Sequence, residues 1–126
     1  MLVWGKDQGE LFLQAAYGML SKLSPLQRQG DYQSRQTKPM DVLAPSVEEL
    51  FVAWLAEILY QFYVHEFYFA GASFTALTGE KISGTMEGWP VAQVKLHKGS
   101  EVKGVAYHGL KIVSEPRWEA EVILDV

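Results

Sequence analysis

Two stretches of this chain carry the same helical signature 39 residues apart, and that repetition constrains the fold more than any other feature. The first opens at Asp7, with Glu10 three residues on, and continues with Leu11, Phe12, Ala15, Ala16, Met19, Leu20 and Leu23. The second opens at Ser46, with Glu49 in the same relation, and continues with Leu50, Phe51, Trp54, Leu55, Ile58, Leu59 and Phe62. A small polar residue followed by a carboxylate is a capping box, and the apolar spacing that follows is one face of a helix. Met1 and Val3 fall on Met40 and Val42 under the same shift. A strand-then-helix unit used twice is therefore expected, each helix laying one apolar face on a common sheet. Similar helices also arise without any repeat, since all amphipathic helices share these features.

The remainder reads as strands. Phe67–Leu77 is rich in aromatic and small residues, and Ile82–Met86 follows a turn at Gly79–Glu80. Glu87 to Ser100 contains Gly88, Pro90 and Gly99 and reads as a connecting loop. Glu101–Val113 and Arg117–Val126 then form a hairpin around Ser114–Glu115–Pro116. Burying Val102, Ala106, Leu110 and Ile112 with Trp118, Ala120, Val122 and Leu124 places Asp125 opposite Val105 or Tyr107, with Lys103 diagonally beyond it. The expected architecture is α+β: two layers, with two amphipathic helices packed on a largely antiparallel sheet. If Val42–Ala44 ends a strand that begins near Gln33, then Leu2–Trp4 should end a similar one, so the chain is expected to start inside its first element.

A length of 126 residues fits one domain spanning 1–126. With no cysteine, disulfides, thiolate metal sites and a cysteine nucleophile are excluded, which suits a reducing, cytoplasmic setting. The opening residues have no signal-peptide pattern, and no apolar run approaches the roughly 18 residues that cross a bilayer. A net charge of −4 with eleven scattered basic residues argues against direct nucleic-acid binding.

Chemistry-bearing residues concentrate in the last third. Lys103 and Asp125 could form an exposed cross-strand ion pair of little energetic weight. Asp125 also stands next to the carboxylate of Val126, an oxygen-rich pair suited to Mg²⁺ or Ca²⁺, although such ions want six or more oxygens. His108 has the parity of the buried face, where a histidine is more often hydrogen-bonded core than ligand. His97 lies in a loop and reads as solvated. Together with Asp125 the two histidines could hold a transition metal, but their spacing matches no compact motif. His65, at the end of the second helix, suits the helix dipole. No nucleotide-binding or nucleophile-elbow fingerprint is present. The aromatic set Tyr60, Phe62, Tyr63, Phe67, Tyr68 and Phe69 lacks interleaved Arg or Lys, so it reads as core plus a patch for protein contact.

The run Glu101-Val-Lys-Gly-Val-Ala-Tyr-His-Gly-Leu110, preceded by His97 and followed by Trp118 and Val122-Ile-Leu-Asp-Val126, resembles the archease family. Leu50-Phe-Val-Ala-Trp-Leu-Ala-Glu-Ile-Leu59 is similar to that family's second helix, with Ala56 where asparagine is usual, and Trp4-Gly-Lys-Asp-Gln-Gly-Glu-Leu-Phe12 to the opening of its first. The resemblance implies an accessory protein, not an enzyme in its own right. Its partner would be an RtcB-type RNA ligase of tRNA splicing, whose GTP-dependent guanylylation and repeated turnover it would promote. Lys103 and Asp125 match functionally important family positions, His108 and His97 match recurrent ones, and Asp125 would belong to a divalent-metal site. Nothing before Trp4 matches the family's D-H-T-A-D-like strand, whose acidic residues supply further ligands. The metal site is therefore expected to be incomplete in this chain, and the sheet edge left bare would invite self-association. Two other readings stay open: a chaperone-like modulator of another RNA-modifying enzyme, and a small metal-dependent hydrolase using His97, His108 and Asp125.

Overall fold

The computed structural model describes residues 1–24, 35–94, 96 and 99–126. Among them are two α-helices, a short 3-10 turn at Val91–Gln93, and six strands. Helix α1 spans Gln8–Leu23 and α2 spans Val47–Tyr63. Both start where the capping residues predict. The Asp7 carboxylate accepts the backbone N–H of Glu10 at 2.8 Å, and the Ser46 hydroxyl accepts that of Glu49 at 3.2 Å. Each bond satisfies one of the donors that a helix start leaves without a partner, a contribution of about 1 kcal/mol.

All seven stripe residues of α1 are buried. Six of seven are buried in α2, the departure being Phe62, which is half-buried while Gln61 beside it is buried. The amide of Gln61 can be buried because it is satisfied: its oxygen accepts from Lys38 Nζ at 3.0 Å and its nitrogen donates to Glu57 at 2.9 Å. The helices meet through Phe12, Phe51 and Trp54. Phe12 and Phe51 pack edge-on at 5.4 Å, and Trp54 turns its edge to Phe69 of the strand layer at 5.5 Å.

The strands are β1 Leu2–Gly5, β2 Gln36–Leu43, β3 Phe67–Leu77, β4 Lys81–Pro90, β5 Gly104–Val113 and β6 Trp118–Asp125. All pairings are antiparallel, so the α+β class expected from the sequence holds. The strands do not share one sheet, however. They divide into two three-stranded sheets, β1-β6-β5 and β2-β4-β3. Alternation tells which face of a strand is buried, not which strand lies beside it.

The division shows how the repeat is built. In β2-α2-β3-β4 a strand and helix are followed by a hairpin whose second strand returns to pair with the first. β1, α1 and the β5–β6 hairpin have the same plan, with β6 returning to β1. The second unit is inserted between α1 and β5 of the first, so the two are nested. The suggested strand start near Gln33 lies outside the described residues; β2 begins at Gln36.

Two sequence expectations need correction. Glu87–Pro90 is not loop but the end of β4, paired with β2 through Glu87 and Gly88 and with β3 through Pro90 opposite Phe67. Gly88 is required there: a β-carbon would run into the Tyr68 carbonyl and the Phe67 ring. The final hairpin also has a different register. Near its turn, Lys111, Ile112 and Val113 face Glu121, Ala120 and Glu119. Beyond a bulge the partners become Ala106–Ile123, Val105–Leu124 and Gly104–Asp125. Asp125 therefore faces Gly104, not Val105 or Tyr107. Residues 107–110 occupy the bulge opposite Val122 alone, and Gly109 turns it with φ of +78°. That excess is odd in number, so it reverses the parity: Val105, rather than Ala106, packs against the core.

Candidate functional site

The end of sheet β1-β6-β5 formed by Lys103, Gly104 and Asp125 is fixed from below. Val102 is fully buried, and the Tyr63 hydroxyl of α2 clasps its backbone, donating to the carbonyl at 3.0 Å and accepting the N–H at 3.2 Å. The next residue, Lys103, donates its backbone N–H to the Asp125 carbonyl at 2.6 Å. Both side chains are exposed. The structure thus brings Lys103, just before β5, to a backbone position adjacent to Asp125 at the end of β6. Among the described residues their side chains form no ion pair, which leaves the ammonium and the carboxylate both available to a partner.

The described histidines are not brought to this end. His108 lies in the bulge and is exposed, against the expectation that it shares the buried face; the reversed parity is the reason. From Gly104 to His108 is on the order of 10 Å along the strand. His97 lies outside the described residues. His65 packs its ring edge-on against Tyr60 at 5.0 Å, just beyond α2.

A divalent ion of the Mg²⁺ or Ca²⁺ type needs six or more oxygen ligands. Among the described residues no three His, Asp or Glu side chains come together at Asp125 or anywhere else. Asp125 and its neighbour Val126, both exposed, supply only part of such a set. The described residues do not fit a complete metal centre.

The fold also assembles a concavity of about 340 Å³ lined by Tyr17, Leu20, Arg35, Tyr68, Phe69 and Trp89, among others. The Arg35 guanidinium lies over the Trp89 ring at 5.3 Å and pairs with Glu87 at 2.9 Å. The Tyr17 hydroxyl donates to the Ala70 carbonyl at 3.2 Å. Burial raises the pKa of that hydroxyl above 10.0, opposed by the positive charge of Arg35 and aided by the negative charge of Glu87. Sequence reasoning missed this grouping, because its members come from α1, β3, β4 and the residue just before β2. The aromatic set singled out in the sequence divides between core and surface. Phe67, Tyr68 and Phe69 are buried, while Tyr60 and Tyr63 are exposed at 48% and 47%. No described helix is long and apolar enough to cross a membrane.

This arrangement of helices and sheets is shared with solved structures. A crystal structure from Thermotoga maritima, of an archease described as a possible chaperone, superposes with a TM-score of 0.70 at 16% identity, covering 100% of this chain and 88% of that one. A solution structure of a Methanobacterium thermoautotrophicum protein gives 0.65 at 22% identity, covering 99% and 89%. These likenesses establish the fold class. In sequence, an archease of Methanosarcina barkeri is 27% identical over 128 aligned positions, covering 98% of this chain and 86% of that protein. The profile of the Archease protein family matches residues 1–126. The chain belongs to the archease family, a family of accessory proteins.

Proposed function

We propose that this protein is the accessory factor of an RtcB-type RNA ligase in the cytoplasm, promoting GTP-dependent guanylylation and repeated turnover without catalysing the ligation itself. The observation that carries the reading is the juxtaposition of Lys103 and Asp125 within a chain that matches the family along its whole length. These are the two positions that the family resemblance marks as functionally important. They lie 22 positions apart in sequence, and the backbone bond from Lys103 to Asp125 gathers them at one end of the β1-β6-β5 sheet, both exposed. Such a pair suits contact with charged groups of a partner protein. The scattered basic residues and net charge of −4 do not suit RNA.

The test is titration of the protein into a ligation reaction with the ligase substoichiometric to RNA ends. The expected result is conversion of a single-turnover burst into sustained turnover. An unchanged burst at saturating protein would reject the reading. A divalent ion at Asp125 belongs to the same proposal, with its remaining ligands supplied by the partner or water. Calorimetric titration of Ca²⁺ and Mg²⁺ into the protein with and without the ligase tests it, binding being expected only with the ligase present. The description of the Thermotoga relative as a possible chaperone supports a second reading, modulation of another RNA-modifying enzyme. Recovery of such an enzyme in place of the ligase from the native host would favour it.

A further inference from the structure

The two nested units allow an internal comparison, because each presents one sheet face to its helix layer and the other to solvent. The solvent face of β2-β4-β3 is what an unpartnered face should be. On β2 it carries Thr37, Pro39 and Asp41, opposite Glu87, Thr85 and Ser83, with Leu43 at one corner. The solvent face of β1-β6-β5 differs. Register places Leu2, Glu121 and Lys111 in one row, and Trp4, Glu119 and Val113 in the next. Ile123 lies further along, then Asp125. Leu2, Trp4, Val113 and Ile123 are exposed at 58%, 51%, 49% and 52%. Directly opposed residues project from the same face, so these four share one surface. Leu2 and Trp4 on β1 and Val113 on β5 flank Glu119 and Glu121 of the central strand, with Ile123 next along it; large exposed apolar side chains gathered on one face mark an interaction site.

The charges say what fits it. Glu119 is neutralised by Arg117 at 2.8 Å, and Arg117 in turn lies over the Trp4 ring at 4.7 Å. Glu121 has Lys111 directly opposite. Asp125, at the end of the surface, makes no ion pair among the described residues. The unbalanced charge of the face is therefore one carboxylate, on a chain whose net charge is also negative. Resting on the ligase reading above, we infer that the solvent face of β1-β6-β5 is the docking surface for the ligase. It takes a protein surface bearing apolar side chains and, at the margin facing Asp125, positive charge: a basic side chain or the divalent ion named above. The exposed apolar side chains supply affinity and the charged end fixes register.

Hydroxyl-radical footprinting of the whole protein, alone and with the ligase, tests this. Oxidation of Trp4 and Ile123 should fall several-fold in the complex, while Leu43 and Tyr60, exposed elsewhere, stay unchanged. In parallel, Trp4→Ser should weaken ligase binding by about tenfold or more, and Leu43→Ser should leave it unchanged. Circular dichroism melts show whether both variants fold, and the footprint needs no variant at all. Protection centred on Leu43 or Tyr60, or full affinity in a folded Trp4→Ser protein, overturns the docking face and leaves the ligase reading standing. Protection of Trp4 that grows with protein concentration in the absence of ligase means a second copy covers the face, which also overturns it. A wild-type protein with no affinity for the ligase overturns both.

Discussion

The indole N–H of Trp54, in the middle of α2, donates to the backbone carbonyl of Phe12 in α1 at 2.7 Å. It is a buried bond between two helices, each belonging to a different nested unit, and it fixes their relative height. Replacing Trp54 with Phe keeps an aromatic ring but loses the bond and part of the volume, so about 1–3 kcal/mol of stability should be lost. Trp54→Ala should cost about 3–5 kcal/mol. Urea unfolding at constant m-value measures both, and a Trp54→Phe protein as stable as wild type would show that the contact contributes nothing.

Gly109 turns the β5 bulge with φ of +78°, and a β-carbon there would meet only Ile123 Cδ1 at an ordinary 3.6 Å. The difficulty for an alanine is therefore torsional, not steric. Gly109→Ala should cost about 1–2 kcal/mol, with amide shifts confined to Tyr107–Leu110 and their neighbours on β6. Gly109→Asn, which tolerates this conformation better, should recover part of the loss.

Tyr17 offers a pH test. Its pKa is raised from 10.0 chiefly by burial, so the folded state disfavours the phenolate. Above the unfolded value the unfolded chain binds fewer protons than the folded one, and stability falls with rising pH. Tyr17 should contribute fully below pH 10.0, and that contribution should disappear as pH rises through the folded value. Comparing wild type with Tyr17→Phe in urea melts across this alkaline range isolates the effect of this hydroxyl: the wild type should show the steeper decline. Equal slopes would mean that Tyr17 ionises as freely in the folded protein as in the unfolded chain.

Lys103 and Asp125 hold their places through backbone atoms while their side chains face solvent. Lys103→Ala and Asp125→Ala should thus leave stability within about 0.5 kcal/mol of wild type. Either change should nonetheless remove stimulation of ligase turnover. A destabilised variant, or one that stimulates normally, would contradict this assignment.

The helices were legible because their signals are local. Asp7 and Ser46 cap within three residues, and a stripe such as Leu11 to Leu23 declares its buried face without reference to any partner. The site was half legible. Family likeness singled out Lys103 and Asp125, but their relation depends on the bulge between them and the turn. Alternation through Val105, Ala106, Tyr107 and His108 reads equally well with or without extra residues. Gly109 was the only local mark of the bulge, and one glycine in a strand does not say how many residues are unpaired. Gly88 and Pro90 misled for the opposite reason. They read as turn residues, yet Gly88 is needed where the β3 backbone passes too close for any side chain.

Nesting also orders events in time. The inner unit needs only chain between Gln36 and Pro90, so it can close while the C-terminal hairpin is still being synthesised. The outer sheet must wait for β6 to reach the first residues, a sequence separation of 121 between Met1 and Val122. Loop closure over such a span is entropically slow, and high contact order lowers folding rate. The inner unit shortens the search, because once formed it brings α1 and the start of β5 toward each other. Folding is thus expected to run from the inside outward, and the Lys103–Asp125 end of the molecule is the last part to exist.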